Sequence, residues 1–170
     1  WRSCARELLA LRVPPSEVLW VDDAQEPSLF GASNETLPRF AVPNVPSAFL
    51  DMARSVAAHT DARRWSVLYR VLWRLTHGDE RHLLAISTDP DMRQVQQWCK
   101  AIGRDIHKMH AFVRFRLVGS DQSTGREQFV AWFEPEYRIV RLAAGFFEKR
   151  FAGMDWSILT PHECVHWDGL

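Results

Sequence analysis

Apolar residues recur along this chain at two spacings, and the change from one to the other divides it. Up to about residue 110 they fall three and four apart, the pattern of helices with one buried face. Cys4, Ala5, Leu8 and Leu9 form the first such face, with Ser3 placed to cap it and Pro14-Pro15 to stop it. Val18 to Val21 reads as a short strand. Residues 22–46 hold Asp22, Asp23, Glu26, Glu35 and four prolines (Pro27, Pro38, Pro43 and Pro46), which predicts a long loop or linker. Phe49, Met52, Ala53 and Val56 mark the next helix face. Asp61 is placed to cap a third helix with an inner face of Trp65, Leu68, Tyr69, Leu72 and Leu75, and Gly78 stands where a C-terminal cap belongs.

Asp89-Pro90 pairs a capping residue with proline at the first helical position, and the helix it opens runs to about residue 110. Met92, Val95, Cys99, Ile102, Ile106 and Met109 make one apolar stripe along it. Arg93, Gln97, Lys100, Arg104 and Lys108 fall on the opposite face, with His107 at its edge. That face holds no acid, and Asp105 is expected on the flank.

Strict alternation then replaces the helical period. In Ala111 to Val118, Val113, Phe115 and Leu117 are expected on one side of a strand, with Phe112, Arg114 and Arg116 on the other. A polar loop, Gly119 to Gln128, leads to a second strand, Phe129 to Glu134, stopped by Pro135. On it Trp132 and Glu134 share one side, and Phe129, Ala131 and Phe133 the other. Ile139, Leu142, Ala143, Phe146 and Phe147 predict another helix, ending near Phe151 and Gly153. Trp156 to Thr160 is a third strand, closed by Pro161, and His166-Trp167 a fourth. Helices followed by β-β-α-β-β predict an α+β fold, with amphipathic helices on a small antiparallel sheet. Residues 1–45 read as a helix, a short strand and a Pro-rich linker, and 46–170 as the main domain.

Composition narrows the classes. At 170 residues, 46% hydrophobic and 25% charged, the chain is an ordinary globular one and neither disordered nor collagen-like. No apolar run is long enough for a transmembrane helix, so no membrane partner is expected. The charged first residues, with Arg2, Arg6 and Glu7, do not read as a signal peptide. Three cysteines, Cys4, Cys99 and Cys164, do not make a disulfide scaffold, and a cytoplasmic location follows as the expectation. The chain lacks an initiating methionine and stops after Trp167-Asp168-Gly169-Leu170, so a domain cut from something longer is expected. Net charge is zero, which excludes a globally polybasic partner logic but not a local patch. The 21 cations are 18 Arg and three Lys, a bias suited to phosphate and carboxylate forks, though a GC-rich genome produces it too. Eight tryptophans are mostly core anchors, with stacking as their other use.

Between Lys100 and Val118 stand five cations (Lys100, Arg104, Lys108, Arg114, Arg116) and one acid, Asp105, a local charge of +4. A one-sign stripe suits a phosphate backbone; a solvated face, or arginines paired with Glu134 and Glu136, is the plain alternative. His107 and His110 are three apart, and His162, Cys164 and His166 form an H-x-C-x-H run. Neither spacing fits a common zinc finger and no C-x-x-C accompanies them, so no metal or other cofactor is expected. No G-x-S-x-G, Walker or G-x-G-x-x-G loop is present. Cys99 on the apolar stripe is expected to be a core thiol, and Cys164, expected in a loop beside His162 and His166, is the one thiol to watch.

Arg104 to Arg116, Phe129 to Glu136, Trp156 to Pro161 and His166 to Gly169 together resemble a bacterial domain of unknown function associated with DNA metabolism. The resemblance spans about residues 46–169. In that family the domain precedes a uracil-DNA-glycosylase-type (UdgX-like) domain, or is encoded beside a radical-SAM protein similar to spore photoproduct lyase. The first 45 residues are similar to the segment preceding the domain in the glycosylase fusions. The resemblance implies a DNA-repair setting and supplies no catalytic residue, and the glycosylase motifs themselves have no counterpart here. Three readings stay open. One is a module that binds or presents single-stranded or damaged DNA to a glycosylase-type domain in the same or a partner chain. Its contacts would come from Arg93, Lys100, Arg104, Lys108, Arg114, Arg116 and Trp132. The second is an enzyme on modified DNA with His107, Glu134 and His166 as its polar centre. The third is a protein-interaction scaffold.

Overall fold

The computed structural model describes residues 1–21, 40–41, 43–78, 80, 82–120 and 125–169. Most of the linker expected over 22–46, and residues 121–124 of the expected polar loop, lie outside them. Five helices and four strands follow in the order α1 (Arg2–Ala10), α2 (Ser47–Ala57), α3 (Arg64–His77), α4 (Pro90–Phe112), β1 (Arg116–Ser120), β2 (Glu127–Trp132), α5 (Val140–Arg150), β3 (Asp155–Leu159) and β4 (Cys164–Trp167). The fold is α+β, as the pattern predicts. Two compact units divide it: Trp1–Ala57 with Asp61–Gln97, and Ala58–Thr60 with Trp98–Leu170.

The first unit is helical. Its core includes Leu9, Phe49, Val56, Leu68, Tyr69, Val71, Leu72, Met92 and Val95, all within a few per cent of full burial. Trp1 stacks on Trp65 at 5.8 Å and tilts against Trp20, and Trp20 meets Tyr69 edge-on. The Tyr69 hydroxyl donates to the Val13 carbonyl at 2.7 Å, and burial pushes its pKa up to about 12. Val18 to Val21 forms no strand, and Leu19 and Val21 face solvent. A strand needs a ladder partner, and this segment is held by the ring of Trp20 instead.

Two expected caps are also absent. Trp1, not Ser3, precedes α1, with no side-chain bond to the helix. The Asp61 carboxylate binds the backbone N–H and guanidinium of Arg63 in the turn before α3, its carbonyl accepts from Arg64, and α3 has no side-chain cap bond. Gly78 does end α3, its N–H donating to the Arg74 carbonyl. Its φ of −102° is ordinary, but a Cβ there would stand 2.8 Å from that carbonyl oxygen. Asp89 caps α4 as expected, accepting from the Met92 N–H at 3.0 Å. It also accepts from Arg74, which bonds Glu80 as well, and Arg74 is the largest cause holding both carboxyls below their ordinary values. The start of α4 is therefore fixed to α3 by one arginine.

The second unit is a four-stranded sheet in the order β1-β2-β3-β4 with helices on one face. β1–β2 and β3–β4 are antiparallel, but β2–β3 is parallel, so the sheet is mixed and not wholly antiparallel as expected. The cause is α5: a helix between two neighbouring strands carries the chain back to the starting end. Phe129, Ala131, Trp156, Ile158, Val165 and Trp167 share the inner face and pack with Ile102, Met109, Val140, Ala143 and Phe147. The predicted strand from Ala111 is corrected. α4 continues to Phe112, Val113 is buried as its anchor, and pairing begins at Arg116. The alternation misled because a helix end with one buried residue every fourth position overlaps a strand start.

Asp105 is a second correction: it is 3% exposed on the buried side of α4, not on its flank. Its carboxylate accepts the Tyr137 backbone N–H at 2.9 Å. Arg138 next door donates its N–H to the Ala58 carbonyl, and His59 stacks on Tyr137 at 4.5 Å. These contacts fix the loop between β2 and α5. Asp105→Ala leaves a half-buried N–H without its partner, so it should destabilise by about 1–3 kcal/mol in urea unfolding. An unchanged midpoint would show that this bond does not hold the loop.

Candidate nucleic-acid interface

The apolar stripe of α4 decides what its other side presents. With Trp98, Ile102, Asp105 and Met109 buried, Lys100, Gly103, Arg104, His107 and Lys108 face solvent and line one open, shallow depression. Among the described residues, no carboxylate forms an ion pair with Lys100, Arg104 or Lys108. Arg93 is exposed on the first turns of the helix, which belong to the helical unit. The sequence singled out the cations of this face. It missed Gly103, which lines the same depression.

The sheet leaves its outer face uncovered. Register places Arg116 opposite Val130, and Val130 opposite Ser157, which faces His166. Trp132, two residues on from Val130, therefore projects on the same side and is 58% exposed. Its indole N–H donates to Glu134 Oε1 at 3.0 Å. Ser157 Oγ and His166 Nδ1 are 2.7 Å apart. They stand in a polar hollow with Gln128, Val130 and Asp155. Asp155 is paired with Arg126, which also donates to the Asp168 carbonyl. Sequence reasoning missed Ser157, because only the β3–β4 register reveals it beside His166.

Arg114 is not part of this face. It lies between α4 and β1, and its guanidinium bonds the Ala111 and Val113 carbonyls at the end of α4. That contact is a helix-terminal one, a cation on orphan carbonyls. His107, Glu134 and His166 do not gather round one cavity. His107 belongs to the α4 depression, His166 to the sheet hollow, and Glu134 to Trp132. His162, Cys164 and His166 likewise form no cluster: no three His, Cys, Asp or Glu side chains converge among the described residues. Cys99 is half-buried rather than fully buried, and Cys4 and Cys164 are exposed.

An α+β unit with one open sheet face and one acid-free helix face is the class of protein this geometry defines. The chain belongs to DUF4130, a family of domains of unknown function, whose model matches residues 62–167. The match takes in α3 to β4, and with them both surfaces. No curated protein and no solved structure matches the chain.

His110, next along α4, stacks on Phe146 at 4.0 Å and meets Phe147 edge-on. Burial holds its pKa below the ordinary 6.5; a bond to the Ala143 backbone opposes this, and the nearby His107 adds to it. The unfolded chain therefore takes up the proton first. The stabilisation is complete above about pH 6.5 and is lost as pH falls toward the folded value. His110→Phe should flatten the loss of stability on acidification below that point, read from melting temperatures across pH. A variant as acid-sensitive as the parent would place the titration elsewhere.

Proposed function

We propose that this domain binds DNA through its phosphate backbone and presents it in a repair setting. The observation that carries the reading is the depression of α4, lined by Lys100, Gly103, Arg104, His107 and Lys108 with no acid among them. Cations unpaired with protein carboxylates are the groups that replace counterions on a nucleic-acid backbone. The exposed Trp132, with Arg116 on the same sheet face, supports contact with an unpaired base, since stacking needs an accessible ring and tolerates any sequence. A partner domain of uracil-DNA-glycosylase type follows from the family resemblance of the four sequence blocks, as does DNA repair, and a cytoplasmic setting is the reading of three cysteines that make no disulfide scaffold. No helix among the described residues is long and apolar enough to cross a membrane.

An enzyme acting on modified DNA is the second reading, and the Ser157–His166 hydrogen bond favours it. A serine bonded to an imidazole nitrogen is half of an activated nucleophile, but a third group to orient the ring is needed for the full device.

Binding to single-stranded, duplex, uracil-containing and abasic oligonucleotides at two salt concentrations tests the first reading. Neutralising Lys100, Arg104 and Lys108 together should weaken binding and flatten its salt dependence by roughly one unit per lost contact. An unchanged slope would sink it. Trp132→Ala should weaken single-strand binding by about 1–3 kcal/mol while leaving the melting temperature nearly unchanged, because the ring is more exposed than buried. A variant that binds like the parent would remove the sheet face from the site.

A further inference from the structure

Glycine inside a helix costs backbone entropy and leaves the helix less stable than alanine would. A mid-helix glycine therefore calls for a reason. The usual one is steric, a neighbour that would collide with a Cβ. Gly103, within the 23-residue helix α4, has no such reason: a Cβ built on it meets nothing within 4 Å. It does not sit near a helix end, where glycine serves as a cap. Its surroundings are Lys100, Arg104, His107 and Lys108, with which it lines the open depression.

We propose that Gly103 is a positioning residue for a phosphodiester: at the edge of the depression it leaves the surface at the level of the helix backbone, so that a phosphate can approach the cations beside it closely. A methyl group at this position would lift the phosphate away from Lys100 and Arg104, and a charge-assisted hydrogen bond weakens steeply with distance. The ligand class follows from charge. Four cationic or protonatable groups line the depression beside the glycine with no acid among them, which suits an anion spread along a backbone. The inference deepens the DNA-binding reading and rests on it.

The same unit holds its own control. Gly145 lies in the middle of α5, is exposed, and also has nothing within 4 Å of a built Cβ. It lies outside the depression. Its neighbour one turn back, Arg141, is already paired with Glu163. Both glycines thus lower helix stability without a steric cause, and of the two only Gly103 lines the depression, Gly145 having the single cation Lys149 one turn on.

The experiment compares Gly103→Ala, Gly145→Ala and the parent, using a fluorescently labelled oligonucleotide as single strand and as duplex, with melting temperature measured in parallel. Both variants should melt higher than the parent, by roughly 2–4 °C. Gly103→Ala should nevertheless bind DNA about three- to tenfold more weakly, and Gly145→Ala should bind like the parent. Gly103→Ala that is more stable and binds like the parent overturns the inference. The DNA-binding reading would then still stand if the triple variant at Lys100, Arg104 and Lys108 flattens the salt dependence. A parent that binds neither probe overturns both. A Gly103→Ala variant that melts lower than the parent also overturns the inference, since it would reveal a steric need for the glycine.

Discussion

The burial of one stripe of α4 against the inner face of the sheet is the constraint on which the second unit depends. Ile102, Met109 and Val113 share a core with Ala131, Trp156 and Ile158. A helix has one angular position once such a stripe is fixed, because residues three and four apart share a face. Lys100, Gly103, Arg104, His107 and Lys108 are then turned outward without any further interaction to hold them there. The sheet has an equal constraint, since a side-chain period of two leaves its other face to Arg116, Trp132, Ser157 and His166. Both candidate surfaces are thus what remains after one core is closed.

Polar groups inside that closure serve as its fasteners. Asp105 lies on the buried side of α4 because it has a partner there, the Tyr137 N–H, and a buried carboxylate is tolerated only with such partners. The stripe of cations stays free of acid because its one near neighbour in sequence is turned inward. Without that inward turn, Asp105 would offset part of the positive surface it now lies beneath. In the helical unit Arg74 performs a comparable task at the start of α4, where Glu80 and Asp89 both accept from it.

Much of this was legible in the sequence, and the failures have physical causes. The three-and-four spacing found α4 and its basic face, and alternation found β2, β3 and β4 nearly in place. Asp89-Pro90 marked the start of α4 because cap and proline each act locally. Ser3 and Asp61 carried the same chemistry without that role, since the cap bond depends on where the helix begins. Asp105 was misplaced because its partner is 32 residues away. The parallel pairing of β2 and β3 was invisible, as strand direction depends on the route of α5 and not on the strands' own composition. Arg114 was misassigned with the strand start, and the Ser157–His166 pair needed a register that hydrophobic pattern does not specify.

Within the second unit the two surfaces have opposite outlooks. α4 lies against the inner face of the sheet, so its exposed cations point away from the strands, whereas Trp132, Arg116 and His166 project from the outer face. Their chemistry differs accordingly. The helix face offers charge without hydrogen-bond variety, which suits a repeating phosphate chain and carries no sequence information. The sheet face offers an indole, an amide, a hydroxyl and an imidazole, groups that meet the flat face and the edge of a base. The two surfaces meet only through the core between them, so substitution of an exposed residue on one leaves the geometry of the other intact.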